Sequence, residues 1–211
     1  MNNFPKKGNK LFISGGYQSE FSHIAWGDME MQFYGYIVGY KEAADAIISE
    51  ALEKGDVRTL DTYVFPACFL YRQYIELALK YLYLSNSGET KEAKIKTLKS
   101  CQHNLKHIWS KVKPLILADF PDDDAEAIEA VEDYIHQFAA VDGNSFAFRY
   151  PITKELDLVN DKEKFINLVN LAERMDELES FLSAASMGMS VHREYEADMM
   201  SYYASELSDY Y

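Results

Sequence analysis

Residues Thr62–Leu84 read TYVFPACFLYRQYIELALKYLYL, and this stretch decides the fold. From Tyr63 onward nearly every residue is apolar or aromatic, except Arg72, Gln73, Glu76 and Lys80. Arg72, Glu76 and Lys80 stand four apart, so on a helix they occupy one side, one turn after another. An otherwise greasy helix with one charged stripe is expected at the centre of a fold, buried on most of its circumference. The stripe then faces water, a partner chain or a site. Pro66 is expected in the first turn of this helix, and Ser85-Asn86-Ser87-Gly88 should end it.

On its N-terminal side, Asp28 is a good N-cap and Gly55 a good C-terminal stop. A helix is therefore expected between them, with Tyr34, Ile37, Ala44, Ile48 and Ala51 on its inner stripe. Residues 1–27 hold Gly8, Gly15, Gly16 and Gly27 with little periodicity and read as an extended arm. On the C-terminal side, Lys91–Ser100 reads as a short basic helix or a loop. A helix over Leu105–Leu117 follows, which Pro114 should shorten or kink. Asp122-Asp123-Asp124 suits the start of a helix over Ala125–Val141. Ser145–Pro151 is the one strand-like piece. A last long helix is expected from Asp161, with Phe165 on its apolar face and Gly188 as a break. The acidic, tyrosine-rich residues 188–211 should form a separate terminal helix. Short loops between amphipathic helices make the expected architecture all-α, an antiparallel bundle of about five to six helices over residues 28–187.

The chain has 211 residues, 48% hydrophobic and 26% charged, as a soluble globular domain has. No apolar run reaches the roughly 18 to 20 residues of a membrane span. The opening residues lack a secretory apolar region, and Cys68 and Cys101 are too few for a disulfide framework, so a cytoplasmic location and no membrane partner are expected. A net charge of −13 argues against a generic nucleic-acid coat. The charge is uneven, though. Lys91–Lys113 carries seven lysines and one acid, whereas Asp119–Asp142 carries nine acids and no Lys or Arg. The plainer reading is a solvated basic helix beside an acidic one; the sharper is a basic face on an acidic protein.

Chemistry has few anchors. There is no glycine-rich phosphate loop, nucleophile elbow or paired CxxC. His103 and His107, with Cys101 before them, have metal-like spacing but no accompanying ligands, and no metal or cofactor is expected. Arg72, Glu76 and Lys80 form either a simple ladder of ion pairs or the wall of a site, because charges on a mostly buried helix need partners. Arg149, between Phe148 and Tyr150 and just before Pro151, is placed to fork around a phosphate or carboxylate with an aromatic ring to stack alongside. Its plainer alternative is an ion pair to Glu76 or to the acidic helix.

Taken in order, YRQYIELALKYLYL, then His103-Asn104-Leu105 opening a helix, then Phe148-Arg149-Tyr150-Pro151, resemble the HEPN domain (higher eukaryotes and prokaryotes nucleotide-binding) over roughly Thr62–Ala185. The resemblance implies a homodimeric helical bundle in a prokaryotic toxin–antitoxin or antiphage defence system. It also implies RNA or nucleotide binding, and a nucleotidyltransferase or other defence-system protein as partner. Many members are metal-independent ribonucleases with an arginine, four to six intervening residues and then a histidine. None of Arg58, Arg72, Arg149, Arg174 and Arg193 has such a histidine. Whether the chain is an enzyme is therefore open, and a divergent ribonuclease or a pure protein-interaction module stands beside the binding reading. The ligand-binding candidates are Arg72, Glu76, Lys80, His103, Arg149 and Tyr150, with no catalytic residue assigned.

Overall fold

The computed structural model describes residues 4–121, 125–143, 145–160 and 164–208. Among these, six α-helices build the molecule: α1 (Met29–Lys54), α2 (Val57–Asn86), α3 (Lys91–Cys101), α4 (Leu105–Asp119), α5 (Ala125–Val141) and α6 (Leu168–Ser208). The fold is an all-α helical bundle, and no strand occurs among the described residues. Among the described residues no helix is long and apolar enough to cross a membrane.

The helix boundaries follow local chemistry. Asp28 caps α1 by accepting from the Met31 N–H at 2.9 Å, and Gly55 ends it in the left-handed region at φ 62°. Asp56 caps α2 by accepting from the Thr59 N–H and hydroxyl. Asn104 caps α4 through the His107 N–H. Each cap satisfies donors that the first turn leaves without intrahelical partners.

α2 is the axle. It packs along α1 and against α4 and α6. Tyr71, Tyr74, Ile75, Leu79, Leu82 and Tyr83 are buried in one core with Ala44, Ile48, Leu105, Trp109, Val112, Ile135 and Leu178. The helix begins earlier than the breaker pattern suggests, so Pro66 lies well inside it rather than in the first turn. Pro114 likewise sits inside an uninterrupted α4. A proline removes one intrahelical bond and clashes with the preceding turn, but packing on both sides of these helices overrides that local preference.

Other expectations need correction. Ser145–Pro151 is a run of turns, with the Arg149 and Tyr150 N–H groups both donating to the Phe146 carbonyl; an isolated antiparallel bridge between Ile152 and Leu158 follows it. The last helix starts at Leu168, with Asn167 accepting from the Asn170 N–H, and Phe165 lies outside it, 90% exposed. The residues about Asp161 and the Asp122–Asp124 run lie outside the described positions. Gly188 does not break α6. A β-carbon there would come 2.6 Å from the Phe120 ring, so the glycine lets the α4 C-terminus approach the helix closely. The tail is therefore the distal part of α6, where Val191, Tyr195, Met200 and Tyr202 are exposed. Tyr34, assigned to the inner stripe of α1, is also exposed.

Candidate functional site

The charged stripe of α2 faces inward. Arg72 is fully buried and Glu76 is 4% exposed. A guanidinium in that position needs acceptors on every side. Its Nη1 donates to Glu76 Oε2 at 3.0 Å, its Nη2 to the His103 carbonyl and its Nε to the Asp142 carbonyl at 3.4 Å. Glu76 Oε1 also meets Lys80 Nζ at 2.5 Å and His103 Nδ1 at 2.9 Å. The stripe is both a ladder of ion pairs and the floor of a polar cluster.

Two connections deliver the partners. Between α3 and α4, Gln102 adopts a positive φ of 48° and the Asn104 N–H bonds the Cys101 carbonyl. That tight turn sets the His103 carbonyl toward Arg72 and its ring toward Glu76. Beyond α5, Asp142 Oδ1 accepts from the Phe146 and Ala147 N–H groups at 2.6 and 3.0 Å. Ser145, at φ 56°, accepts from Gln73 Nε2 through its hydroxyl at 2.8 Å, and its carbonyl accepts from Arg149 Nε. A non-glycine residue in the left-handed region is costly, and these bonds hold it there. Arg149 is thereby fixed beside the cluster.

Electrostatics distinguish the groups. Burial would raise the Glu76 pKa, but Lys80, Arg72 and His103 outweigh it and hold the carboxyl below its ordinary range. Burial lowers the Arg72 pKa against the pull of Glu76 and Asp142, and the nearby Arg149 charge pushes the same way as burial. Asp142 is itself buried, and its Oδ2 has no hydrogen-bond partner among the described residues.

Of the six candidates, Arg72, Glu76, Lys80 and His103 are joined directly. Arg149 reaches the cluster through Ser145 and through its charge. Tyr150 is half exposed; its ring lies 5.7 Å from the Arg149 guanidinium carbon and 4.9 Å from the Phe146 ring. Arg149 has no ion pair among the described residues, so neither Glu76 nor the acidic α5 claims it. His107 stays outside the cluster and Cys101 is buried; among the described residues no three His, Cys, Asp or Glu side chains converge as metal ligands. The basic stretch divides too. Lys94 donates to the Leu84 carbonyl at the end of α2 and Lys113 pairs with Glu132, while Lys91, Lys96, Lys99 and Lys106 are exposed.

Asp142, Ser145 and Gln73 were not among the sequence candidates. Gln73 stands out as polar within the α2 stretch, but nothing local pairs it with a serine 72 residues later. A second buried charge, Lys41, was also missed. It binds Asp45 at 2.8 Å, Asp176 at 2.6 Å and Glu179 at 3.0 Å, clasping α6 to α1, while Tyr71 donates to Asp45. Its signal was positional: it falls on the Ile37–Ala44–Ile48 stripe, where a lysine demands a partner. Comparison with models of protein families, with curated proteins and with solved structures finds no match to this chain.

Proposed function

We propose that this chain is a HEPN-like protein of a prokaryotic defence or toxin–antitoxin type system that binds the phosphate of an RNA or nucleotide at the Arg149 face. One observation carries the reading: Arg149 is exposed and anchored through Nε alone, leaving its Nη groups free of any carboxylate among the described residues. A guanidinium preset in this way has a fork ready for two phosphate oxygens. Tyr150 offers a ring face beside it, and in the adjoining cluster Lys80 is 19% and His103 60% exposed at the side chain. The ordered resemblance over Thr62–Ala185 supports the family half of the proposal, and the exposed apolar strip of distal α6 supports a homodimer, to be read by light scattering.

The test is fluorescence anisotropy with a labelled RNA of about eight nucleotides. Arg149→Ala should weaken binding about tenfold, as the loss of one charge-assisted pair does, with an unchanged melting transition. An Arg149→Ala protein that binds as wild type, or one that unfolds, removes the site.

A second reading, a divergent metal-independent ribonuclease, is favoured by one contact. Glu76 holds His103 Nδ1 and leaves the other ring nitrogen directed away from that bond, on a ring that is 60% exposed. A histidine oriented by a carboxylate is competent as a general base. It would take the proton of a ribose 2′-hydroxyl as that oxygen attacks phosphorus; the P–O5′ bond breaks, the 5′-oxygen leaves with a proton from water, and a 2′,3′-cyclic phosphate remains. Cleavage of RNA in the presence of chelator, lost in His103→Ala, would establish this reading; no cleavage leaves binding.

A further inference from the structure

Between α2, α5 and α6 the fold leaves a cavity of about 250 Å³. Its apolar wall includes Ile75, Phe138, Phe148, Met175 and Leu178, and Phe165, 90% exposed, contributes to its lining. The cavity is not purely greasy. Arg174 lines it, and while its Nη2 pairs with Glu177 at 2.8 Å and lies 3.5 Å from Glu173, its Nε is buried with no hydrogen-bond partner among the described residues. A buried N–H without an acceptor is costly and calls for one. The carboxamides of Gln137 and Asn170 also line the space, and each can donate or accept.

We propose that this cavity binds a small, neutral aromatic compound carrying a carbonyl, its ring against Phe138 and Phe148 and its oxygen accepting from Arg174 Nε. Size sets the scale: a 150 Å³ apolar cavity takes a benzene, so about 250 Å³ takes roughly ten non-hydrogen atoms. Charge sets the class. Glu177 and Glu173 already neutralise Arg174, so an anionic ligand would enter an apolar space against two carboxylates, whereas a neutral carbonyl meets only the unsatisfied donor. Ring–ring contact with the lining phenylalanines favours a planar ligand over an aliphatic one. Cys68, also in the wall, is no covalent anchor, because burial pushes its thiol up to about 12. The site is independent of the anion-binding reading of Arg149.

Titration calorimetry with 2-quinolinone and naphthalene tests it, since the two share a bicyclic shape and differ in the lactam group. The expected result is saturable binding of 2-quinolinone, roughly five- to tenfold tighter than naphthalene, the worth of one hydrogen bond. Arg174→Met, which keeps the apolar stem, should erase that difference while retaining naphthalene. Leu171→Trp, at a half-buried lining position, should block both ligands and leave the helical signal intact. Equal affinities for the two ligands in the wild type, or an undiminished preference in Arg174→Met, would overturn the assignment. So would the absence of binding at millimolar concentration, which would mean that water alone satisfies Arg174.

Discussion

Replacing Arg72 by Met keeps most of the side-chain volume and removes the guanidinium from a position with no solvent access. Three acceptors lose their donor at once: Glu76 Oε2, the His103 carbonyl and the Asp142 carbonyl. Glu76 keeps Lys80 and His103, which moderates the loss. Breaking a buried pair by removing one partner costs about 3–5 kcal/mol, and the retained partners place Arg72→Met near 3. With a urea slope of about 2–3 kcal/mol per molar, the midpoint should fall by roughly 1–1.5 M at unchanged slope. Glu76→Gln should fall by a similar amount, since it leaves Arg72 and Lys80 facing a neutral amide. In the double variant the two losses should overlap by about 1–3 kcal/mol, because each single change already breaks the shared contact. Equilibrium urea unfolding followed by far-ultraviolet circular dichroism measures all three. A cost below about 1 kcal/mol for Arg72→Met, the range of an exposed pair, would refute the reading of the cluster as a buried electrostatic unit.

Three further outcomes are expected. Because the folded Glu76 carboxyl is held below its ordinary value, its stabilisation is present above the unfolded pKa and lost as pH falls through the folded one. The stability gap between wild type and Glu76→Gln should therefore be flat from pH 7 to about 5 and close below that, read from urea midpoints. Burial opposes the charge on Lys41, but Asp176, Asp45 and Glu179 outweigh it and raise the ammonium pKa well above the ordinary lysine value, while burial and Asp45 raise the Tyr71 hydroxyl. Both contributions are complete below the unfolded values and lost as pH rises past them, so wild type should lose stability above about pH 10, and Lys41→Met should lose less, by melting temperature. Finally, Gly188→Ala gains about 1 kcal/mol of helix propensity but drives a methyl into Phe120, an overpacking worth about 1–3 kcal/mol. It should lower the melting temperature alone and raise it in a Phe120→Ala background; stabilisation in both would show that the ring moves freely.

The helices were legible because their causes are local. Asp28 and Gly55 mark α1 by cap chemistry, and Asp142-Gly143 marks the end of α5. The failures share a cause that is not local. Pro66 signals a helix start and Pro114 a shortened or kinked helix, yet each lies mid-helix because neighbours on two faces pay more than the proline removes. Gly188 signals a stop, yet it is there for a ring from α4. The charged stripe told that Arg72 and Glu76 needed partners and could not say which. Beyond Glu76, the partners of Arg72 are the backbone carbonyls of His103 and Asp142, and a carbonyl carries no residue identity for a pattern to find. Arg149 was found for its aromatic neighbours, and its anchor is again a carbonyl, that of Ser145.

Charge accounting inside the cluster explains why Arg149 rather than Arg72 would meet a ligand. Arg72 and Lys80 both pair with Glu76, and the buried Asp142 adds a second acid that acts on Arg72, so the interior cations are matched by acids. Arg149 is the surplus cation, and it sits at the surface. Around it the chain as a whole carries −13, which repels a polyanion at long range. The two effects respond oppositely to salt. At about 0.01 M the Debye length is near 30 Å and the whole acidic surface opposes a long RNA; at about 0.15 M it is near 8 Å, and the local contact acts with that opposition largely screened. Affinity for a long RNA should therefore rise and then fall as salt increases, while a mononucleotide, which samples only the Arg149 face, should fall throughout with a shallow slope. A steep fall for long RNA across the whole range, as a basic coat gives, would mean that the exposed lysines of α3 and α4 dominate and that Arg149 is one contact among many.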